Sequence, residues 1–153
     1  MKEGGKLDRH DIEILKILNV EGRLPVTELS DRVGLSKSPC QARLKRLVAE
    51  GYIRGFKAIL DPQKLGLEQV VFVEIKLTDT TETALSDFNA AVQSVPEIEQ
   101  CHMIAGAFDY LIKVRTKDMK SYREVLGRVV SSLPYVGSTS THVSMQSVKD
   151  VAF

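Results

Sequence analysis

Residues 32–57 hold seven basic side chains, Arg32, Lys37, Arg43, Lys45, Arg46, Arg54 and Lys57, against the single acid Glu50. Such a cluster breaks no bonds. It binds polyanions, because each Lys or Arg that neutralises a phosphate releases a condensed counterion. A solvated surface of mixed charge is the alternative reading of the same residues. The cluster stands out against a balanced chain: residues 1–60 carry 12 Lys+Arg against 8 Asp+Glu, residues 61–153 carry 9 against 12, and the formal net charge is +1.

Side chains suited to catalysis or metal binding are sparse. Cys40 and Cys101 lack metal-ligand spacing, and two isolated cysteines suit a reducing cytoplasm better than a disulfide framework. His102 and His142 invite a metal reading, but surface or pocket histidines are the commoner case. No Ser/His/Asp or Cys/His arrangement, phosphate-cradling glycine loop or HExxH motif occurs. The expectation is therefore no catalytic residue, no metal and no cofactor. Gly106 and Asp109 offer a different chemistry: a carboxylate for an ammonium and loop N–H groups for a carboxylate, supplemented by the hydroxyl run Ser138, Thr139, Ser140 and Thr141. The same residues also read as hairpin chemistry, with glycine supplying positive φ and aspartate satisfying the turn.

Positioning these groups requires folded elements, and the chain is ordinary in composition, 43% hydrophobic and 27% charged. No apolar run approaches the ~18 residues of a membrane span, and no signal peptide is expected. After a Gly/Lys-rich leader over residues 1–6, Asp8 offers an N-cap and Asp11 an acid in the first turn of a helix over 8–19. Ile12, Ile14, Leu15, Ile17 and Leu18 are expected to be its buried residues. Pro25 precedes a short helix with Val26, Leu29 and Val33 on one face, and Gly34 breaks it. Ser36 caps a third helix running to about Glu50, with Gly51 ending it. Residues 52–60 are β-rich and read as a wing or as the hinge to a second unit, and Asp61-Pro62 makes a turn.

Beyond Gly66 the pattern changes. A strand is expected over 70–77, then a helix opened by Asp79 and Glu82 at capping-box spacing, with Leu85, Phe88 and Val92 inward. Strands over 98–105 and 109–115 flank Gly106-Ala107-Phe108 as a hairpin. A helix over about 118–133 carries Met119, Tyr122, Leu126, Val129 and Val130, and a last strand spans roughly 138–148. The order βαββαβ is the ferredoxin-like split unit, whose second and fourth strands form opposite edges. The expected fold class is α+β, with residues 1–60 as a helix-turn-helix (a winged helix-turn-helix if residues 52–60 form the wing), 61–67 as a hinge and 68–153 as the ferredoxin-like domain.

Residues 26–45 bear most directly on function. Two short helices meeting steeply need positive φ at the turn, where Gly34 stands. On the third helix Cys40, Leu44, Leu47 and Val48 share one face, which makes Cys40 a small core residue rather than a reactive thiol. Roughly opposite lie Ser38, Ala42, Lys45 and Arg46, flanked by Lys37, Gln41 and Arg43. That face suits entry into a major groove, where Ala42 permits close approach and Lys or Arg reach phosphates and guanine edges. Ser36 or Ser38 and the free helix N–H groups offer a phosphate site. With Pro39 in the first turn, the DNA-binding set is Ser36, Lys37, Ser38, Pro39, Gln41, Ala42, Arg43, Lys45 and Arg46. An amphipathic three-helix bundle with ordinary surface lysines is the plainer alternative.

Residues 7–12 (LDRHDI), 33–40 (VGLSKSPC), 43–47 (RLKRL), 51–53 (GYI), Asp61-Pro62, 106–110 (GAFDY) and 140–143 (STHV) together resemble the Lrp/AsnC family of feast/famine regulators over about residues 7–150. The resemblance implies a DNA-binding transcriptional regulator of activator or repressor type, with a ligand-binding C-terminal domain. It implies homodimers assembling to tetramers or octamers, and an amino-acid effector between subunits. Carried over by position, the effector contacts are His102, Met103, Gly106, Asp109, Tyr110, Met119, Thr139, Thr141 and His142. Ala105 stands where the family often has threonine, and His142 where an aromatic is common. Residues 139–143 loosely resemble the branch that activates proline dehydrogenase, which makes proline the first candidate. The architecture is also similar to sirohaem decarboxylases, but these need no basic helix, and Lys37, Lys45 and Arg46 weigh against them. A DNA compactor that senses nothing is a third alternative. Double-stranded DNA and an amino acid are the expected partners, in the cytoplasm and away from membranes.

Overall fold

The computed structural model describes residues 6–150, so residues 1–5 of the leader and residues 151–153 lie outside it. The described chain divides between Ile59 and Leu60 into two compact units.

The N-terminal unit is three helices, α1 (Arg9–Val20), α2 (Val26–Val33) and α3 (Lys37–Ala49). Asp8 caps α1 reciprocally: its Oδ1 accepts the Asp11 N–H, and Asp11 Oδ2 accepts the Asp8 N–H, both at 3.0 Å. Aspartate at both ends of this box satisfies two backbone donors that a helix start otherwise leaves open. Gly34 follows α2 at φ 68°, in the left-handed region, where a Cβ costs about 1 kcal/mol. That turn lets α3 begin three residues later. Ile14, Leu18, Leu29, Val33, Cys40 and Leu47 pack between the helices, so Cys40 is indeed core. Ile12 and Val48, expected inward, are instead exposed. One turn before Ile14, the buried position of α1 goes to Asp11, whose side chain is 1% exposed.

The β-rich stretch over residues 52–60, read as a wing or a hinge, is not a strand. Residues 54–60 form no regular structure, and Phe56, Ile59 and Leu60 are exposed. A ladder needs a second strand to complete its hydrogen bonds, and the described residues of this unit hold none.

In the C-terminal unit follow β1 (Gln69–Leu77), α4 (Glu82–Gln93), β2 (Ile98–Met103), β3 (Tyr110–Thr116), α5 (Met119–Arg128), a 3-10 turn (Val130–Ser132) and β4 (Val136–Val143). The strands order β2-β3-β1-β4 with antiparallel neighbours, giving the expected βαββαβ sheet with β2 and β4 at its edges. Strand alternation sends Val71, Val73, Ile75, Tyr110, Ile112 and Val114 toward Phe88 and Val92 of α4 and Tyr122 and Val125 of α5. Phe88 and Tyr110 stack with ring centroids 4.3 Å apart.

Three element ends depart from expectation. Thr81, not Asp79, caps α4: its hydroxyl accepts the Ala84 N–H, while Asp79 accepts both the Thr81 N–H and O–H. α5 stops at Arg128 because the Ser132 hydroxyl donates to the Arg128 and Val129 carbonyls, an alternative to continued helix. Its first residue, Met119, is 44% exposed. β4 ends at Val143, since its partner β1 begins at Gln69; the last link is Ser144 N–H to the Val70 carbonyl at 2.9 Å.

Candidate functional site

The outward face of α3 carries the small residues Ser38 and Ala42, with Gln41, Lys37 and Lys45 around them, all exposed. Ser36 sits at the N-cap in extended backbone, yet its hydroxyl makes no capping bond. The first N–H groups of α3 therefore lack the usual side-chain acceptor and remain available to an external one. Pro39 lies in that first turn, where no N–H is needed.

The basic cluster is smaller in three dimensions than in sequence. Arg32 donates to Glu21 and Glu28 at 2.6 Å each. Arg43 Nη1 donates to Asp8 Oδ2 at 2.6 Å and to Asp11 Oδ1 at 2.8 Å, and Arg46 Nη2 donates to Asp11 Oδ2. Burial alone would raise the Asp11 pKa, but the Asp8 N–H and the two guanidinium groups outweigh it and hold the carboxyl at about 2. Three of the seven cations are thus tied to acids contributed by α1, α2 and the residues flanking α1, leaving Lys37, Lys45, Arg54 and Lys57 exposed and without ion pairs among the described residues. Asp11 was missed as a structural charge in the sequence. Its spacing with Ile14 and Leu18, three and seven residues on, was the signal, because that is the stripe an inward helix face follows.

The candidate effector residues do not converge within one chain. Met103, Asp109, Tyr110, Gly106 and Thr139 lie toward one end of the sheet, where Met103 pairs with Tyr110 and Thr139 with Ile75. Met119 follows β3 at the opposite end, beyond the Gln69–Thr116 pair. Six residues of strand separate these rows, roughly 20 Å. His102 and His142 sit on the sheet face away from the helices but on opposite edge strands, ruling out a shared ion within one chain. His142 approaches Glu74 at 3.3 Å. Thr141 faces the helices instead, its hydroxyl 2.6 Å from the Tyr122 hydroxyl.

Several of these residues have internal duties. Asp109 Oδ2 accepts the Leu77 N–H at 2.8 Å and Oδ1 accepts Lys76 Nζ at 3.0 Å, contacts that hold the carboxyl below its usual range. Tyr110 is 1% exposed and donates its hydroxyl to Asn89 at 2.9 Å. Gly106 does not adopt positive φ, contrary to the hairpin expectation, and a Cβ there would meet only Ile104 at an ordinary 3.6 Å. Met103, Met119, Gly106 and Thr139 remain accessible to varying degrees. A groove in the N-terminal unit mixes apolar walls from Leu15, Leu18, Phe56 and Ile59 with the polar side chains of Asn19, Arg54 and Lys57. Among the described residues no acidic, cysteine or histidine group is placed to hold a metal, and no helix is long and apolar enough to cross a membrane. Both cysteines are free thiols.

Known proteins match this arrangement over nearly its whole length. Residues 7–54 match a winged helix-turn-helix DNA-binding family, and residues 70–152 match the Lrp/AsnC ligand binding domain. The chain is 62% identical over 144 residues to a proline dehydrogenase transcriptional activator of Rhizobium radiobacter, covering 94% of this chain and 92% of the relative. It is 46% identical over 148 residues to the leucine-responsive regulatory protein of Salmonella typhimurium, covering 97% and 90%. Among solved structures it resembles the L-Met complex of a transcriptional regulator from Neisseria meningitidis, with a TM-score of 0.88, 33% identity, and 95% and 94% of the two chains covered. These are regulators, not enzymes, which removes the decarboxylase alternative. The chain belongs to the Lrp/AsnC family of DNA-binding transcriptional regulators.

Proposed function

We propose that this regulator reads duplex DNA with the outward face of α3 and responds to an amino acid, proline first, bound where copies of the C-terminal unit meet. The DNA half rests on one observation: Lys37 and Lys45 stand exposed and unpaired beside Ser38 and Ala42, on a helix set by the left-handed Gly34 turn. Small residues at the centre let the helix approach base edges, and the lysines supply the phosphate contacts. Ser36, Pro39 and Gln41 complete the face. Arg54 and Lys57 extend the cationic surface of the same unit. Replacing Lys37 and Lys45 together by Ala is expected to weaken binding about tenfold at physiological salt, and to make the dependence of log K on log salt shallower by about two. A gel-shift series over salt checks this, and unchanged affinity overturns the assignment.

For the sensing half, the scatter of Met103, Gly106 and Thr139 at one sheet end and Met119 at the other supports a site completed by a second copy. A homodimer assembling to a tetramer or octamer provides such junctions. Proline carries a carboxylate for loop N–H groups and hydroxyls, and an ammonium and apolar ring for an acceptor lined with methionine. Two relatives named as activators of proline dehydrogenase support that choice, and the methionine complex of the Neisseria regulator supports the amino-acid class. Calorimetry of the full chain with each of the twenty amino acids tests it. Binding of L-proline is the expected result; heat from none of them overturns the sensing half.

A further inference from the structure

We propose that Asp11 is a positioning residue for sequence specificity, withholding Arg43 and Arg46 from DNA so that base reading falls to Ser38, Gln41, Ala42 and Lys45. This rests on α3 being the DNA-reading helix. Arginine discriminates guanine when two N–H groups on one edge of its planar fork face O6 and N7 together. The Nε–Nη2 edge of Arg46 is not available for this: Nη2 donates to Asp11 Oδ2, and Nε is buried without a partner among the described residues. Arg43 has Nη1 engaged by two carboxylates, Asp8 and Asp11.

The surroundings make release costly. The Asp11 side chain is 1% exposed, and its two oxygens accept from Arg43, Arg46 and the Asp8 N–H. Swinging either guanidinium onto a base would strip a buried carboxylate of one of its two cationic partners, a loss that offsets the gain of the base contact. The four side chains Asp8, Asp11, Arg43 and Arg46 also sum to zero charge, so together they add no net attraction for phosphates. On α3 the two arginines turn toward α1, where Asp8 and Asp11 hold them, while Ser38, Ala42 and Lys45 lie on the adjacent solvent-facing side. The arginines consequently fix the angle of α3, and Asp11 determines which side chains are left to read.

The test uses the full-length protein and a pool of randomised DNA duplexes, followed by affinity measurements over a salt series. Wild type is expected to enrich a defined sequence, and Lys45→Ala to lower the salt slope by about one as a control on the readout. Asp11→Asn leaves the cluster with net charge +1, so its slope is expected to rise by about one and its preference for the enriched over random duplex to fall about tenfold. Arg46→Gln is expected to enrich the wild-type bases at every position. An unchanged or shallower slope for Asp11→Asn, or relaxed preference at any base for Arg46→Gln, overturns the inference. Should Asp11→Asn fail to fold by circular dichroism, Asp8→Asn keeps an equally good N-cap and again leaves +1; a slope equal to wild type then overturns it. A wild type that enriches no sequence overturns the DNA-reading assignment of α3 and this inference with it, whereas enrichment with unaltered variant slopes sinks this inference alone.

Discussion

The helical unit and the sheet unit of this chain differ in how far one copy completes its chemistry. In the helical unit, α1 and α3 are joined by a buried carboxylate, and the unpaired lysines already share the outward side of one helix. In the sheet unit the candidate effector residues lie at two ends of the sheet, and Asp109 and Tyr110 are committed to Leu77, Lys76 and Asn89. The difference teaches where control resides. Under the proposed function, geometry for reading DNA follows from folding one chain, while geometry for sensing follows from how copies meet. An effector that alters assembly can therefore change DNA binding without touching α3, because its leverage is the difference in its affinity for the two assemblies.

The largest expected effect breaks one region while sparing the other. Phe88→Ala removes a fully buried ring stacked on Tyr110 and should destabilise the sheet unit by about 4 kcal/mol. Calorimetry should show its transition fall while that of the three helices stays in place. A single shared shift would show that the two units do not fold independently.

A smaller effect sharpens the contrast between the two committed aspartates. Asp109→Ala leaves the Leu77 N–H without its acceptor and should cost about 2 kcal/mol, whereas Asp109→Asn, which keeps an acceptor, should cost less than about 1 kcal/mol. Thermal melts measure both. If Asp109→Asn keeps stability but abolishes the amino-acid response, the carboxylate serves the effector as well as the backbone.

The smallest effect concerns acid. The Asp11 carboxyl is held below its unfolded value, so its contribution is complete above about pH 3.8 and is lost as pH falls toward about 2. Acid titration of the helical unit followed by circular dichroism should show this loss, and Asp11→Asn should remove that component. An identical acid profile in the variant would mean that Asp8 or other carboxylates carry the sensitivity.

Much of this was legible in the sequence because it depends on local spacing. Periodicity placed α1, α2 and α3 within a residue or two, Gly34 marked the turn, and the βαββαβ order followed from alternation punctuated by Gly and Pro. Cys40 was readable as core for the same reason. Tertiary structure alone decided which charges are free. A window over residues 32–57 contains Arg43 and Arg46 but not Asp8 and Asp11, which lie more than thirty residues upstream and meet them only when α1 packs on α3. Likewise, spacing in a strand says which face a residue takes but not which end of the sheet it reaches, so the separation of Met119 from Gly106 and Asp109 became visible only in the register. Hydrophobic pattern is written into consecutive residues, whereas ion pairing and site assembly depend on distances through space that no single stretch of chain encodes.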